Sequence, residues 1–144
     1  MQRKVVLMRH GHAEQAADDF SRSLSALGVS QARAAGSALA AEGIELDLVL
    51  TSSAPRALST AECVAAECNY SRAIRSERSL YLAPERHYLK ALRDLPEDVR
   101  NVLLVGHNPG LSVLARLLCG HARELAPAEF ASALFDLEDW SALD

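Results

Sequence analysis

The sequence predicts an α/β fold, a three-layer α/β/α sandwich with a mostly parallel sheet, on three observations. Short apolar runs stand at Val5-Val6-Leu7-Met8, Leu46 to Leu50 and Val102-Leu103-Leu104-Val105, and the first is β-rich and continuous rather than alternating, the mark of a strand covered on both faces. Segments with helical spacing separate them, and strands alternating with helices imply right-handed crossovers between parallel neighbours. Two of the runs lead directly into a histidine, His10 and His107, and in an open α/β sheet ligands bind at the carboxyl ends of the strands.

After the first run, Ala13 to Ser23 is polar and reads as a surface loop. From Ser25 to Gly43 the residues Val29, Ala32, Gly36 and Leu39 recur at helical spacing, with Gly43 where a helix stops, which predicts a helix packed closely through small residues. The second run ends in Thr51-Ser52-Ser53, and Pro55 suits the first turn of a helix that turns Leu58, Ala61, Val64, Ala65 and Cys68 to one side. A weak extended patch at Ser79 to Leu82 is followed by a helix over Pro84 to Leu95, with Tyr88, Ala91, Leu92 and Leu95 inward and Pro96 ending it. Beyond the third run, Asn108 is expected as N-cap and Pro109 at the first helical position of a helix carrying Leu111, Leu114, Ala115 and Leu118. Phe130 to Leu137 is expected as a last strand, antiparallel at an edge.

A chain of 144 residues suits one domain, 1–144, and repeats, linkers and low-complexity segments are absent from it. Its net charge of -4 and scattered arginines exclude a basic nucleic-acid surface, so any positive field is local. Cys63, Cys68 and Cys119 form no C-x-x-C pair and read as packing residues of a reducing compartment. The start, Met1-Gln2-Arg3-Lys4 and four apolar residues, is cut short by Arg9 before it reaches the length of a signal-peptide apolar region, and no run approaches membrane-spanning length. A cytoplasmic monomer that binds neither nucleic acid nor membrane is expected.

A neutral imidazole can attack phosphorus and divide one hard step into two easier ones through a covalent intermediate. Such a nucleophile needs cationic donors around the phosphoryl oxygens, because phosphoryl transfer is mostly positioning and charge stabilisation. Arg9 is adjacent to His10, Arg56 follows the second strand, and His107, at the third strand end, supplies a further donor when protonated. Each alone reads as an ordinary turn or surface residue; their agreement at three successive strand ends points to one anionic pocket.

Three stretches resemble, in order, the histidine phosphatase superfamily, also called phosphoglycerate mutase-like: Leu7-Met8-Arg9-His10-Gly11-His12-Ala13, Thr51 to Glu62, and Val105-Gly106-His107-Asn108-Pro109-Gly110-Leu111. Arg22-Ser23-Leu24-Ser25-Ala26-Leu27-Gly28 is similar to the family's R-P-L-T-x-x-G segment, with Ser23 in place of proline. The short chain and the V-G-H-N-P-G wording are most like the phosphohistidine phosphatase SixA branch. The resemblance implies a phosphoglycerate mutase-like fold and a phosphatase without metal or cofactor. In it His10 is phosphorylated during turnover, Arg9, Arg56 and His107 clamp the phosphate, and Arg22 and Ser52 support binding. A protein phosphohistidine is the expected substrate, with a small phosphate monoester as the alternative.

The chain departs from the larger members of the family at the proton donor, where they carry a carboxylate and Tyr81 stands here. Glu77 and Glu85 lie nearby and read as surface charges, as do the Asp18-Asp19 pair unless a cationic partner meets it. A phosphate ester without a general acid loses its alkoxide slowly, whereas a phosphohistidine ring can carry a proton and leave neutral. The absence of a carboxylate from the pocket therefore favours P–N bonds. His12 is a second departure, expected in solvent, and His87 and His121 read as surface residues.

Rival chemistries fare less well. The pair His10-Gly11-His12 alone falls short of the three or four ligands of a zinc site. The residues six after each cysteine are Asn69, Ile74 and Leu125, which excludes a C-x5-R phosphatase, and no glycine precedes a lysine as in a Walker loop. A phosphate-binding domain without turnover is the non-enzyme alternative.

Overall fold

The computed structural model describes residues 1–144 and is organised by five strands in the order β3-β2-β4-β1-β5. In chain order the elements are β1 (Gln2–Arg9), α1 (Ala26–Ala41), β2 (Leu48–Ser52), α2 (Pro55–Glu67), β3 (Arg75–Glu77), α3 (Glu85–Arg93), β4 (Asn101–Gly106), α4 (Gly110–Cys119) and β5 (Phe130–Asp136). Single 3-10 turns lie at Arg78–Leu80 and Trp140–Ala142. Strands β1 to β4 are parallel and β5 runs antiparallel along β1 at the sheet edge, with Met8 opposite Phe130. No helix is long and apolar enough to cross a membrane.

Because the central strands are apolar at successive positions, they feed two cores. Val5, Leu7, Val102 and Leu104 pack toward α3, α4 and Trp140, while Val6, Met8, Leu103 and Val105 pack toward α1 and α2. Burial at about 25 cal/mol per Å² of apolar surface on both faces is what holds the three layers together. Helix α1 meets α2 through Ala32, Ala35 and Gly36, and a Cβ on Gly36 would come within 2.8 Å of the Glu67 Cβ. The small residues thus set the close approach that the sequence pattern anticipated.

Several local expectations are corrected. The residues Ser79 to Leu82 are not extended: the strand lies earlier, at Arg75–Glu77, and is made by pairing with β2, since its own Arg-Ser-Glu sequence carries no apolar signal. Its charged side chains suit a short edge strand. Asn108 does not cap α4, which starts at Gly110 with Pro109 at the N-cap position. The Asn108 amide turns instead to the Leu125 carbonyl at 2.9 Å, and a Cβ on Gly110 would strike the Ala83 carbonyl oxygen at 2.0 Å. Val29, Leu58, Cys68 and Ala91 are only partly covered, and the three free cysteines are half-buried.

Helix α1 begins as predicted at Ser25, whose Oγ accepts from the Gly28 amide at 3.0 Å. Gly28 is also where α1 meets the loop after β1, because a Cβ there would lie 2.1 Å from the His12 carbonyl oxygen. Gly28→Ala is therefore expected to lower stability by at least about 1–3 kcal/mol, read as a fall in the urea midpoint at unchanged m-value.

Candidate active site

The parallel register of β1 and β4 ends with Arg9 opposite Gly106, so His10 and His107 follow at the same level. Their ring centroids are 5.1 Å apart, and the His10 amide donates to the Gly106 carbonyl at 3.1 Å. Gly106 leaves room for Tyr88, since a Cβ would sit 2.7 Å from the phenol oxygen. The Tyr88 hydroxyl accepts from the His107 amide at 3.0 Å and donates to the Leu80 carbonyl at 2.9 Å. Burial pushes the Tyr88 phenol up to about 12, so it keeps the proton this arrangement needs.

The ring of His10 has a defined tautomer. Its Nδ1 lies 2.7 Å from the Gly11 carbonyl oxygen, which can only accept, so Nδ1 carries the proton and Nε2 keeps its lone pair. The Arg56 Nε–H points at that lone pair from 3.4 Å. The loop holding Gly11 is tied to α2 through Thr60, whose Oγ1 accepts from the Gly11 amide at 3.0 Å and donates to the Arg56 carbonyl at 2.8 Å.

His107 is oriented by Ser52. The Ser52 Oγ accepts from the Ala54 amide at 3.2 Å and lies 2.8 Å from His107 Nε2, its one available acceptor. Donation from the hydroxyl to Nε2 leaves the proton of the neutral ring on Nδ1, which is buried and without a partner. Ser52 is thus fully buried beneath His107 and does not line the cavity, a correction to its expected contact with phosphate.

A cavity of about 240 Å³ is lined by Arg9, His10, His12, Arg22, Arg56 and His107, together with Asp19 and Leu82. Arg9 donates from Nη1 to the Leu125 carbonyl at 3.1 Å, and its buried Nε is unpartnered. Only 2% of the Arg56 side chain is exposed, and its Nη1 and Nη2 donate to the Asp19 carbonyl at 2.7 Å and to Asp19 Oδ2 at 2.9 Å. Arg22 donates from Nη1 to Asp19 Oδ1 at 3.2 Å and from Nε to the Glu14 carbonyl at 3.0 Å. Tyr81 donates to Asp19 Oδ2, and its ring stands edge-on to His107 with centroids 5.4 Å apart.

Asp19, expected as a surface charge unless a cationic partner meets it, has two such partners in Arg22 and Arg56. The loop after β1 closes on itself through an Ala13–Leu24 bridge and so returns over the strand ends, carrying Asp19 to the arginines. The available signal was its place within three residues of Arg22. A carboxylate therefore does stand in the pocket, contrary to the expectation of none. The Tyr81 hydrogen bond, and then the two arginines, hold its pKa down to about 2, so it is an anion and carries no proton to donate. Glu77 pairs with Arg75 at 2.8 Å and Glu85 opens α3; neither lines this cavity. His12 is exposed at the rim with Nδ1 2.7 Å from Ser25 Oγ, so it and His10 take separate partners, and no group of three or more His, Cys, Asp or Glu gathers as a metal site. His87 is exposed, while His121 is half-buried beside Glu129. A larger cavity between β3 and α3 has its charges already matched, Arg75 with Glu77 and Lys90 with Asp94.

Burial, then the neighbouring arginines, lower the pKa of His10 to about 4; burial, then His10 and Arg56, lower that of His107 to about 3. His107 is consequently a neutral donor in the free protein, not the protonated one expected from sequence. Both values lie below the ~6.5 of an unfolded histidine. Above about pH 6.5 neither state binds these protons; as pH falls from there toward about 4 and 3, the unfolded chain takes up protons that the folded chain refuses, and stability is lost. Unfolding midpoints measured from pH 7 down to pH 4 are expected to fall, with a shallower slope in His10→Gln.

The profile of the histidine phosphatase superfamily (branch 1) matches residues 5–80. No curated protein matches the sequence. Among solved structures, one described as the phosphohistidine phosphatase SixA from Nakamurella multipartitia is 28% identical, with a TM-score of 0.81 over 99% of this chain and 90% of that one. A second so described, from Agrobacterium tumefaciens, is 28% identical with a TM-score of 0.82 over 90% of each chain. The protein histidine phosphatase SixA complexed with tungstate is 29% identical, with a TM-score of 0.75 over 90% of this chain and 86% of that one. With two strand-end histidines, the arginines around them and this sheet order already in place, the chain belongs to the histidine phosphatase superfamily and is a phosphatase of phosphoglycerate mutase-like fold.

Proposed function

We propose that this phosphatase works through a phosphohistidine intermediate on His10, without a metal, and that its substrate is a protein phosphohistidine. The single observation that carries the reading is the His10 ring: neutral, its proton fixed on Nδ1 by the Gly11 carbonyl, its Nε2 lone pair met only by a long hydrogen bond from Arg56 Nε at 3.4 Å. In the first step Nε2 attacks phosphorus as the bond from phosphorus to the leaving nitrogen breaks, and that imidazole departs neutral with the proton it already carries. In the second, water attacks the phosphoryl group on His10, the P–Nε2 bond breaks with its electron pair returning to Nε2, and the phosphate departs carrying the protons of the water. Arg9, Arg56, Arg22 and His107, which all line the cavity, hold the phosphoryl oxygens, placing positive charge and fixed dipoles where negative charge concentrates. Ser52 acts one layer below, by aiming His107.

The preference for a P–N bond rests on protonation rather than on a missing carboxylate. In the free protein Asp19 is ionised, His107 is neutral and Tyr88 donates its proton to Leu80, so the pocket there presents no carboxylic acid to an alkoxide. Similarity to SixA structures over nine-tenths or more of this chain supports the same choice.

The test is a panel of a phosphohistidine protein and common phosphate monoesters compared by kcat/KM, with a chelator present throughout. The phosphohistidine protein is expected to lead, and a monoester with a poor leaving group that outruns it would move the substrate to small metabolites. His10→Ala is expected to lose turnover and the acid-labile, base-stable labelling of a phosphohistidine alike while unfolding as the wild type does at pH 7. Arg56→Ala is expected to lose about 10²–10³-fold in kcat/KM, and Ser52→Ala roughly tenfold to a hundredfold, the cost of one buried nitrogen left unpaired. Absence of any trapped phosphoenzyme with several activated phosphates would favour a binding domain without turnover.

A further inference from the structure

We propose that Asp19 is an exchangeable occupant of the phosphate site, holding Arg56 and Arg22 in the free protein and giving them up to the phosphoryl group. The inference rests on the proposed phosphatase pocket and names a residue that sets its affinity for phosphate. The two carboxylate oxygens of Asp19 divide between two guanidinium groups, Oδ2 on Arg56 at 2.9 Å and Oδ1 on Arg22 at 3.2 Å, as two phosphoryl oxygens would. Arg56 is almost wholly buried, and a buried charge needs a counter-ion whether or not substrate is bound. Asp19 supplies it in advance, and Tyr81 holds the carboxylate in place with a hydrogen bond to Oδ2.

The exchange asks little of the fold. The Asp19 side chain is 46% exposed, so its carboxylate can rotate into solvent while its backbone carbonyl stays on Arg56 Nη1 at 2.7 Å. Phosphate and carboxylate cannot share the two arginines without placing like charges in contact, which makes the two anions competitors. The same competition works in reverse after hydrolysis: the returning carboxylate displaces the product phosphate. Asp19 is thus a positioning residue that keeps both guanidinium groups aimed and lowers the affinity of the pocket for phosphate.

Binding of inorganic phosphate to the full chain at neutral pH, followed by calorimetry, tests this with four variants. Asp19→Asn and Asp19→Ala are expected to bind phosphate about tenfold more tightly than wild type, with product inhibition by phosphate strengthened by the same factor, a gain that loss of a merely structural residue would not give. Tyr81→Phe is expected to shift in the same direction by less. Unchanged or weaker binding in both Asp19 variants, with Arg56→Ala still abolishing it, would overturn the exchange and leave the phosphatase pocket standing. Phosphate that binds no differently in Arg56→Ala than in wild type would overturn the pocket itself, and the exchange with it.

Discussion

The site depends first on the parallel pairing of β1 with β4. Because Arg9 and Gly106 are the last residues of that ladder, both strands hand their chain to a histidine at the same height, and the two rings meet at 5.1 Å. Side chains alternate in direction along a strand, so a slip of one residue would reverse the faces of the two cores as well as separate the rings. The register is therefore fixed by burial of Val5 to Met8 and Val102 to Val105, and the placement of the two rings is a consequence of core packing. The opposite end of β1 is held as firmly. Arg3, fully buried, donates to the carbonyls of Glu97, Val99, Leu137 and Glu138 and lies over the Trp140 ring at 5.5 Å.

Around that frame the electrostatics are arranged by burial more than by charge count. The protein is net negative, yet three arginines converge on His10. Their field and the loss of water act in one direction, keeping both histidines neutral near neutral pH. A cationic pocket empty of anions would leave the Arg56 charge buried without compensation, and Asp19 is the local answer to that problem. The same residue shows how a protein of acidic composition keeps arginines together at one place: positive charge is concentrated there and neutralised there.

Much of this was legible in the chain, and what was not has physical reasons. Strands β1, β2 and β4 announced themselves because both faces are covered, and α4 because Leu111, Leu114, Ala115 and Leu118 keep strict spacing. The short strand β3 carried no such signal, since pairing with β2 alone makes it extended. His10, Arg9, Arg56 and His107 could be placed in one pocket from strand order, and the structure brings them together. Ser52 and Asp19 could not be placed, for opposite reasons. The Ser52 hydroxyl points down to His107 instead of out to the cavity, and Asp19 is returned to the site by a loop closure between Ala13 and Leu24 that leaves no periodic trace.

Four buried polar side-chain atoms lack a hydrogen-bond partner, and two of them, Arg9 Nε and His107 Nδ1, belong to residues that line the cavity. An unpaired buried group costs about 1–3 kcal/mol, and such costs persist where the surrounding structure over-determines the position. Both conditions are met. His107 is fixed by Tyr88 on its amide and by Ser52 on its ring, and Arg9 by the sheet and by the Leu125 carbonyl. Both atoms are buried, so their cost is borne by a site held rigid around the cavity, and rigid dipoles need no reorganisation when charge develops. Arg56 and Arg22 follow a different rule, being satisfied in the free protein by an anion on a loop. The cavity thus combines two residues fixed by the fold, Arg9 and His107, with two arginines satisfied by an anion on a loop, and on the proposed exchange the balance between them sets how tightly phosphate is held and how readily it leaves.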